Sequence, residues 1–218
     1  MRGVYQVISW LFMPLTMPLF ALLIVFYTPS GINFSTLGNS LYFLEPASKR
    51  FFFNSFGLFG FIFPIVSIVI MRLSKQVESL ELDLQRQRFI PLFLVGCYAL
   101  MLTVLLWKFN AQVPISKHFF GLALSGVMVA FVFMLINLKT KISLHAGGVG
   151  MLLGFLFSYY QDQVIVVFWP LYVACIIAGL VISSRIALKK HTISQLFFGF
   201  ILGFLITFTL DYISVKLF

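Results

Sequence analysis

The chain has 218 residues, of which 61% are hydrophobic and only 10% charged, with a mean hydropathy of +1.06. Soluble domains place about a quarter of their residues in charge, so a soluble enzyme, a disordered protein, a secreted disulfide scaffold and a nucleic-acid binder are excluded together, and a polytopic membrane protein remains. The 15 Lys and Arg against 6 Asp and Glu, net +9, then point to basic loops at anionic headgroups or to the positive-inside rule.

A helix crosses the hydrocarbon core with about 20 apolar residues. That ruler predicts spans at 7–27, 52–71, 89–107, 118–138, 146–160, 164–183 and 193–213. The first has an apolar run too long for a signal-peptide core and no small-x-small cleavage pattern after it. It reads as a retained helix kinked at Pro14 and Pro18. The loop 28–51, with Leu37, Leu41, Tyr42 and Leu44, reads as carrying a short interfacial helix. Segment 72–88 reads as a charged surface extension of the second helix. Cys97 and Cys175 lie inside apolar runs as small core residues, leaving no disulfide framework and no cysteine metal site.

The fifth span is short and contains Gly147, Gly148, Gly150 and Gly154, so six spans plus a re-entrant segment is the alternative count. The pairs Gly150/Gly154 and Gly199/Gly203 fit close helix packing. Asp162 and Asp211 read as interfacial. Trp10, Trp107 and Trp169 fall near span ends as an aromatic belt. The fold class is all-α: a polytopic transmembrane helix bundle of six or seven spans, forming one integral membrane domain over 1–218.

With seven spans, one face collects ten basic residues (Arg2, Arg72, Lys75, Arg86, Arg88, Lys139, Lys141, Arg185, Lys189 and Lys190), and the other five (Lys49, Arg50, Lys108, Lys117 and Lys216). This predicts a cytoplasmic N-terminus, in an integral protein of a bacterial inner membrane. Three polar clusters share the basic face: Arg86-Gln87-Arg88 with Pro91, the run from Lys139 to Gly148, and the run from Ser183 to Gln195. His145 and His191 belong to this face and His118 to the opposite one.

Ionisable side chains at a bilayer invite a functional explanation. A phosphate ester needs fixed positive charge and N–H donors around its oxygens, a nucleophile, and an acid for the leaving group. Arg185 offers a planar fork, and Lys139 and Lys141 mobile point charges. The helix starting after Ser143 adds backbone N–H groups. Two histidines can divide attack and protonation. His191 and Gln195 are i and i+4 on one helical face, so Gln195 can fix the imidazole tautomer.

Ser184-Arg185, five residues and then His191 resembles the third signature of the type 2 phosphatidic acid phosphatase superfamily, Ser-Arg, five residues, His, three residues, Asp. Ser143-Leu144-His145 resembles its second signature, Pro-Ser-Gly-His. The resemblance covers roughly residues 86–210. It implies that His191 is the nucleophile and His145 the general acid, and that Arg185 and Ser143 hold phosphate oxygens. Gln195 stands where the family has Asp, and Arg86, Arg88 and Pro91 stand near where its first signature falls.

The expected function is hydrolysis of a lipid phosphate or diphosphate through a phosphohistidine. Catalytic residues are His191, His145 and Gln195; substrate-binding residues are Arg185, Ser143, Lys139, Lys141 and Arg88. No cofactor or metal is required, since Arg, Lys and backbone donors supply the charge. The partner is a membrane lipid phosphate, such as phosphatidic acid, phosphatidylglycerol phosphate or a polyprenyl diphosphate, and not nucleic acid. The rival reading keeps the fold without catalysis, as a membrane subunit that binds lipid or assembles with partner proteins. A small transporter is a third, weakened by the lack of charge at mid-span.

Overall fold

In lipid every backbone N–H and C=O has to be satisfied within the chain, so long apolar runs fold as helices. The computed structural model describes residues 2–30, 40–163, 165 and 167–217; it is 81% helical, with no strand among the described residues. The helices are α1 (Arg2–Leu11), α2 (Met17–Tyr27), α3 (Pro46–Gly57), α4 (Phe63–Leu73), α5 (Phe89–Asn110), α6 (Lys117–Lys139), α7 (Leu144–Gln161), α8 (Trp169–Ala187) and α9 (Ile193–Leu217). Short 3-10 turns precede α2 (Pro14–Thr16) and α5 (Gln85–Arg88), and a π-helical turn, Leu58–Ile62, joins α3 to α4.

Among the described residues, six segments are long and apolar enough to cross a membrane: Gly3–Tyr27, Pro46–Leu73, Gln85–Asn110, Lys117–Lys139, Trp169–Ala187 and Ile193–Lys216. The fifth predicted span, α7, falls outside that set because its glycines, His145 and polar end dilute its hydropathy. It is also the most enclosed helix, buried along nearly its whole length. It runs parallel to α9: Gly150 and Gly154 press on the carbonyls of Phe200 and Phe204, while Gly199 and Gly203 press on those of Ser143 and Gly147. No Cβ fits at any of the four, and small residues that let backbones approach are the usual basis of helix association in membranes. With α6 antiparallel and packed more on α9 than on α7 itself, and with α8 and α2 on its other sides, α7 traverses the bundle between its neighbours' two ends.

Three sequence expectations are corrected. The first span is broken rather than kinked: Met13, held extended before Pro14 (φ −70°, ψ 154°), separates α1 from the turn that starts α2. Segment 72–88 does not extend the second helix. After Leu73 the chain takes left-handed residues at Lys75 (φ 59°) and Leu82 (φ 52°) and folds inward, burying Val77 and Leu82. In the loop 28–51, Leu41–Phe43 forms only a 3-10 turn and α3 begins at Pro46; Leu37 lies outside the described residues.

Asp211, near the far end of the last span, faces the protein interior. It is fully buried, its Oδ2 2.9 Å from His118 Nδ1, while Asp162 Oδ2 lies 3.8 Å from His118 Nε2. This knot ties the start of α6 to the ends of α7 and α9. Replacing His118 with Ala strands a buried carboxylate, and such single-partner losses cost about 3 kcal/mol. A clear fall in the unfolding midpoint of the detergent-solubilised protein is expected; an unchanged midpoint would show that the pair carries no stability.

Candidate active site

The site is assembled at the other end of the bundle, where the N-termini of α7 and α9 meet the C-terminus of α8. Ser143 caps α7, its Oγ accepting from Ala146 N–H at 3.3 Å, and its own N–H donates to the Gln195 carbonyl at 3.3 Å. That seam brings His145 and His191 to one cavity. A cavity of about 220 Å³ is lined there by both histidines together with Arg185, Arg88, Ser9 and Glu81.

The His191 tautomer follows from its neighbours. Gln195 Oε1 lies 3.2 Å from the backbone N–H of Thr192, which can only donate, and 3.1 Å from His191 Nδ1. The shared acceptor makes Nδ1 the protonated nitrogen and leaves the Nε2 lone pair free. Burial is the main force pushing the His191 pKa down to about 3. The Gln195 hydrogen bond opposes it, and the charges of Arg88, Lys141 and Arg185 add to it. The ring is therefore neutral at physiological pH, as a nitrogen nucleophile has to be.

Arg185, 1% exposed, donates from Nη1 to Ser9 Oγ at 2.6 Å and to Glu81 Oε2 at 3.3 Å. Ser9 passes this contact on: His145 Nε2 lies 3.3 Å from its Oγ and 3.1 Å from its carbonyl oxygen. The carbonyl can only accept, so His145 carries its proton on Nε2 and serves as a donor. Arg88 is equally buried and donates to the carbonyls of Leu82 (2.7 Å) and Ile142 (2.8 Å), which fixes the inward-folded 74–84 segment to the start of α7.

A second charge layer lies outside. Lys190 Nζ is 2.7 Å from Asp83 and 3.6 Å from Glu81, and Lys141 Nζ donates to the Lys190 carbonyl at 3.1 Å. Burial acts to raise the Asp83 pKa, but the Lys190 hydrogen bond and the charges of Lys190, Arg185 and Lys141 outweigh it and hold the group below the ordinary carboxylate value. Burial, with the neighbouring Arg88 charge, lowers that of Lys141. Among the described residues, Arg88, Arg185, Lys141 and Lys190 thus face the two carboxylates of Glu81 and Asp83, an excess of positive charge that suits a phosphate dianion.

The structure lines the cavity with His191, His145, Arg185 and Arg88, and sets Gln195 and Lys141 just outside it, Gln195 on His191 and Lys141 on the Lys190 carbonyl. It does not bring Ser143 or Lys139 to the cavity: the Ser143 hydroxyl is buried as the α7 cap, and Lys139 is exposed at the end of α6. Ser9 and Glu81 were not singled out from sequence. A hydroxyl in an apolar run is commonplace, and the alternation Leu80-Glu81-Leu82-Asp83-Leu84 would have turned Glu81 away from the core, since only Leu82 of its three leucines is buried. No protein-family model matches the chain, and neither a curated protein nor a solved structure does.

Proposed function

We propose that the protein is a membrane phosphatase acting on a lipid phosphate or diphosphate at headgroup level. The observation that carries this reading is the single cavity lined by His191, tautomer set by Gln195 with Nε2 free, by the N–H donor His145 and by two buried guanidinium groups. His191 Nε2 attacks phosphorus, and the phosphorus–oxygen bond to the lipid breaks as His145 Nε2–H turns from the Ser9 carbonyl and gives its proton to the leaving oxygen. Water then attacks the phosphohistidine, giving its proton to His145, and inorganic phosphate leaves. The spacing of Ser184, Arg185 and His191, which resembles the type 2 phosphatidic acid phosphatase pattern, supports the same assignment. On this reading the membrane is a bacterial inner membrane, the N-terminus is cytoplasmic, and the site opens towards the cytoplasmic headgroups.

Gln195 orients His191 but carries no charge to stabilise an imidazolium or a phosphohistidine. Replacing it with Asp supplies that charge on the same helical face, on a side chain one methylene shorter, worth about tenfold in turnover for a partly exposed pair. The test is phosphate release from phosphatidic acid, phosphatidylglycerol phosphate and polyprenyl diphosphate in detergent, comparing the wild type with Gln195→Asp. Release by the wild type and a gain in the variant are expected. No release from any of the three by either protein would favour the second reading, a non-catalytic lipid-binding subunit, for which the Glu81 carboxylate already seated on Arg185 is the specific observation.

A further inference from the structure

Below its polar mouth the cavity continues into an apolar part that the phosphoryl chemistry does not use. Along α5 its wall runs from Arg88 through Leu92, Val95 and Ala99 to Leu102. At about 1.5 Å per residue that is a depth of about 21 Å, against about 30 Å for the whole hydrocarbon core. The deep end is bounded by small side chains from three spans, Gly60, Ala99, Ala123 and Gly126, at positions where packed helices would otherwise interdigitate.

Gly60 belongs to the π-helical turn. Pro64, four residues on, has no N–H to give its carbonyl, and the wider turn absorbs the defect. A Cβ on Gly60 would meet nothing within 4 Å, so the space beside it is open and not taken by a neighbouring helix. At the mouth, Arg185 is 1% exposed, lines the same cavity, and its Nε has no hydrogen-bond partner among the described residues. An apolar void holds no water, and its lining forfeits dispersion contacts until something apolar fills it. A group that offers an anion to Arg185 and a hydrocarbon to the space beneath satisfies both ends.

We infer that this chamber receives one hydrocarbon chain of the lipid whose phosphate sits at Arg185 and His191, and that Gly60 at its deep end sets the length of chain accepted. The inference rests on the proposed lipid phosphatase reading for the identity of the headgroup. It also accounts for the first two spans, which carry none of the phosphatase-like residues, yet whose Pro18, Phe56 and Gly60 form the wall opposite α5 and α6. Chain length is then measured inside the bundle and not at its lipid-facing surface.

The test uses the full-length protein in detergent and an alkyl phosphate with a photoreactive diazirine at the end of its chain. Labelled peptides are mapped by mass spectrometry. Label is expected around Leu102 and Ala123 in the wild type and is expected to be lost in Gly60→Leu. In parallel, the ratio of octadecyl to decyl phosphate turnover is expected to fall about tenfold in Gly60→Leu, the scale set by a few methylene groups in an apolar pocket. Label confined to outward residues such as Phe93 or Trp107, no label inside the bundle, or an unchanged chain-length ratio would each overturn the inference. Interior label without hydrolysis of any alkyl phosphate would sink the catalytic reading alone, because the labelling does not depend on turnover.

Discussion

His191→Ala is expected to lower phosphate release by at least about 10³-fold, the scale on which removal of a nucleophile acts when no neighbour can replace it. The only other imidazole lining the cavity, His145, presents a protonated Nε2 to Ser9 and is not placed to attack. Folding is expected to survive, because His191 is half-buried and its hydrogen bond goes to Gln195, which keeps the Thr192 N–H. The wild type is expected to accumulate an acid-labile, base-stable phosphoryl label that the variant lacks. Since burial holds the His191 pKa at about 3, the nucleophile stays neutral well below the usual imidazole value of about 6.5. The rate of label formation should therefore not decline on protonation of His191 between about pH 7 and about pH 5. A decline there with a midpoint near 6.5 would show that the attacking ring is not held as the structure holds it. Full activity in His191→Ala would place the chemistry elsewhere.

Arg185→Lys is expected to cost about 10²-fold in kcat/KM, the scale of losing one preorganised donor to a developing anion. Lysine keeps the positive charge, but it lacks the planar fork that here holds Ser9 and Glu81 from one nitrogen and leaves others for phosphate. Arg185→Ala is expected to lose more activity and also stability. It removes the short Arg185 bond from Ser9 and leaves Glu81 paired with Lys190, 3.6 Å away. Measuring kcat/KM beside the unfolding midpoint separates the two effects: the lysine variant falls in the first and not the second, the alanine variant in both. Wild-type kcat/KM in Arg185→Lys would mean that the fork plays no part in holding phosphate.

The helical architecture was legible because apolar runs of span length admit little else in a bilayer, and the glycine pairs of α7 and α9 sit at the spacing that close packing needs. His191 and Gln195 were legible together because they share a single helical turn. What the sequence concealed lies at long range. Ser9 reaches His145 across 136 positions, Glu81 reaches Arg185 across 104, and His118 reaches Asp211 across 93. No local periodicity encodes such pairs. The inward fold of segment 74–84 was hidden for a second reason: its left-handed residues are Lys75 and Leu82, not the glycines or asparagines that would have announced a turn.

The low hydropathy and deep burial of α7 have a consequence for how the chain is made. A segment with four glycines near its start and Tyr159, Tyr160 and Gln161 at its end gains little by partitioning into lipid alone. Its principal neighbour, α9, is synthesised only after α8. During biosynthesis α7 therefore has to wait beside α6, or within the insertion machinery, until α9 arrives to close over its glycines. The site cannot form before then, because His191 stands at the threshold of α9.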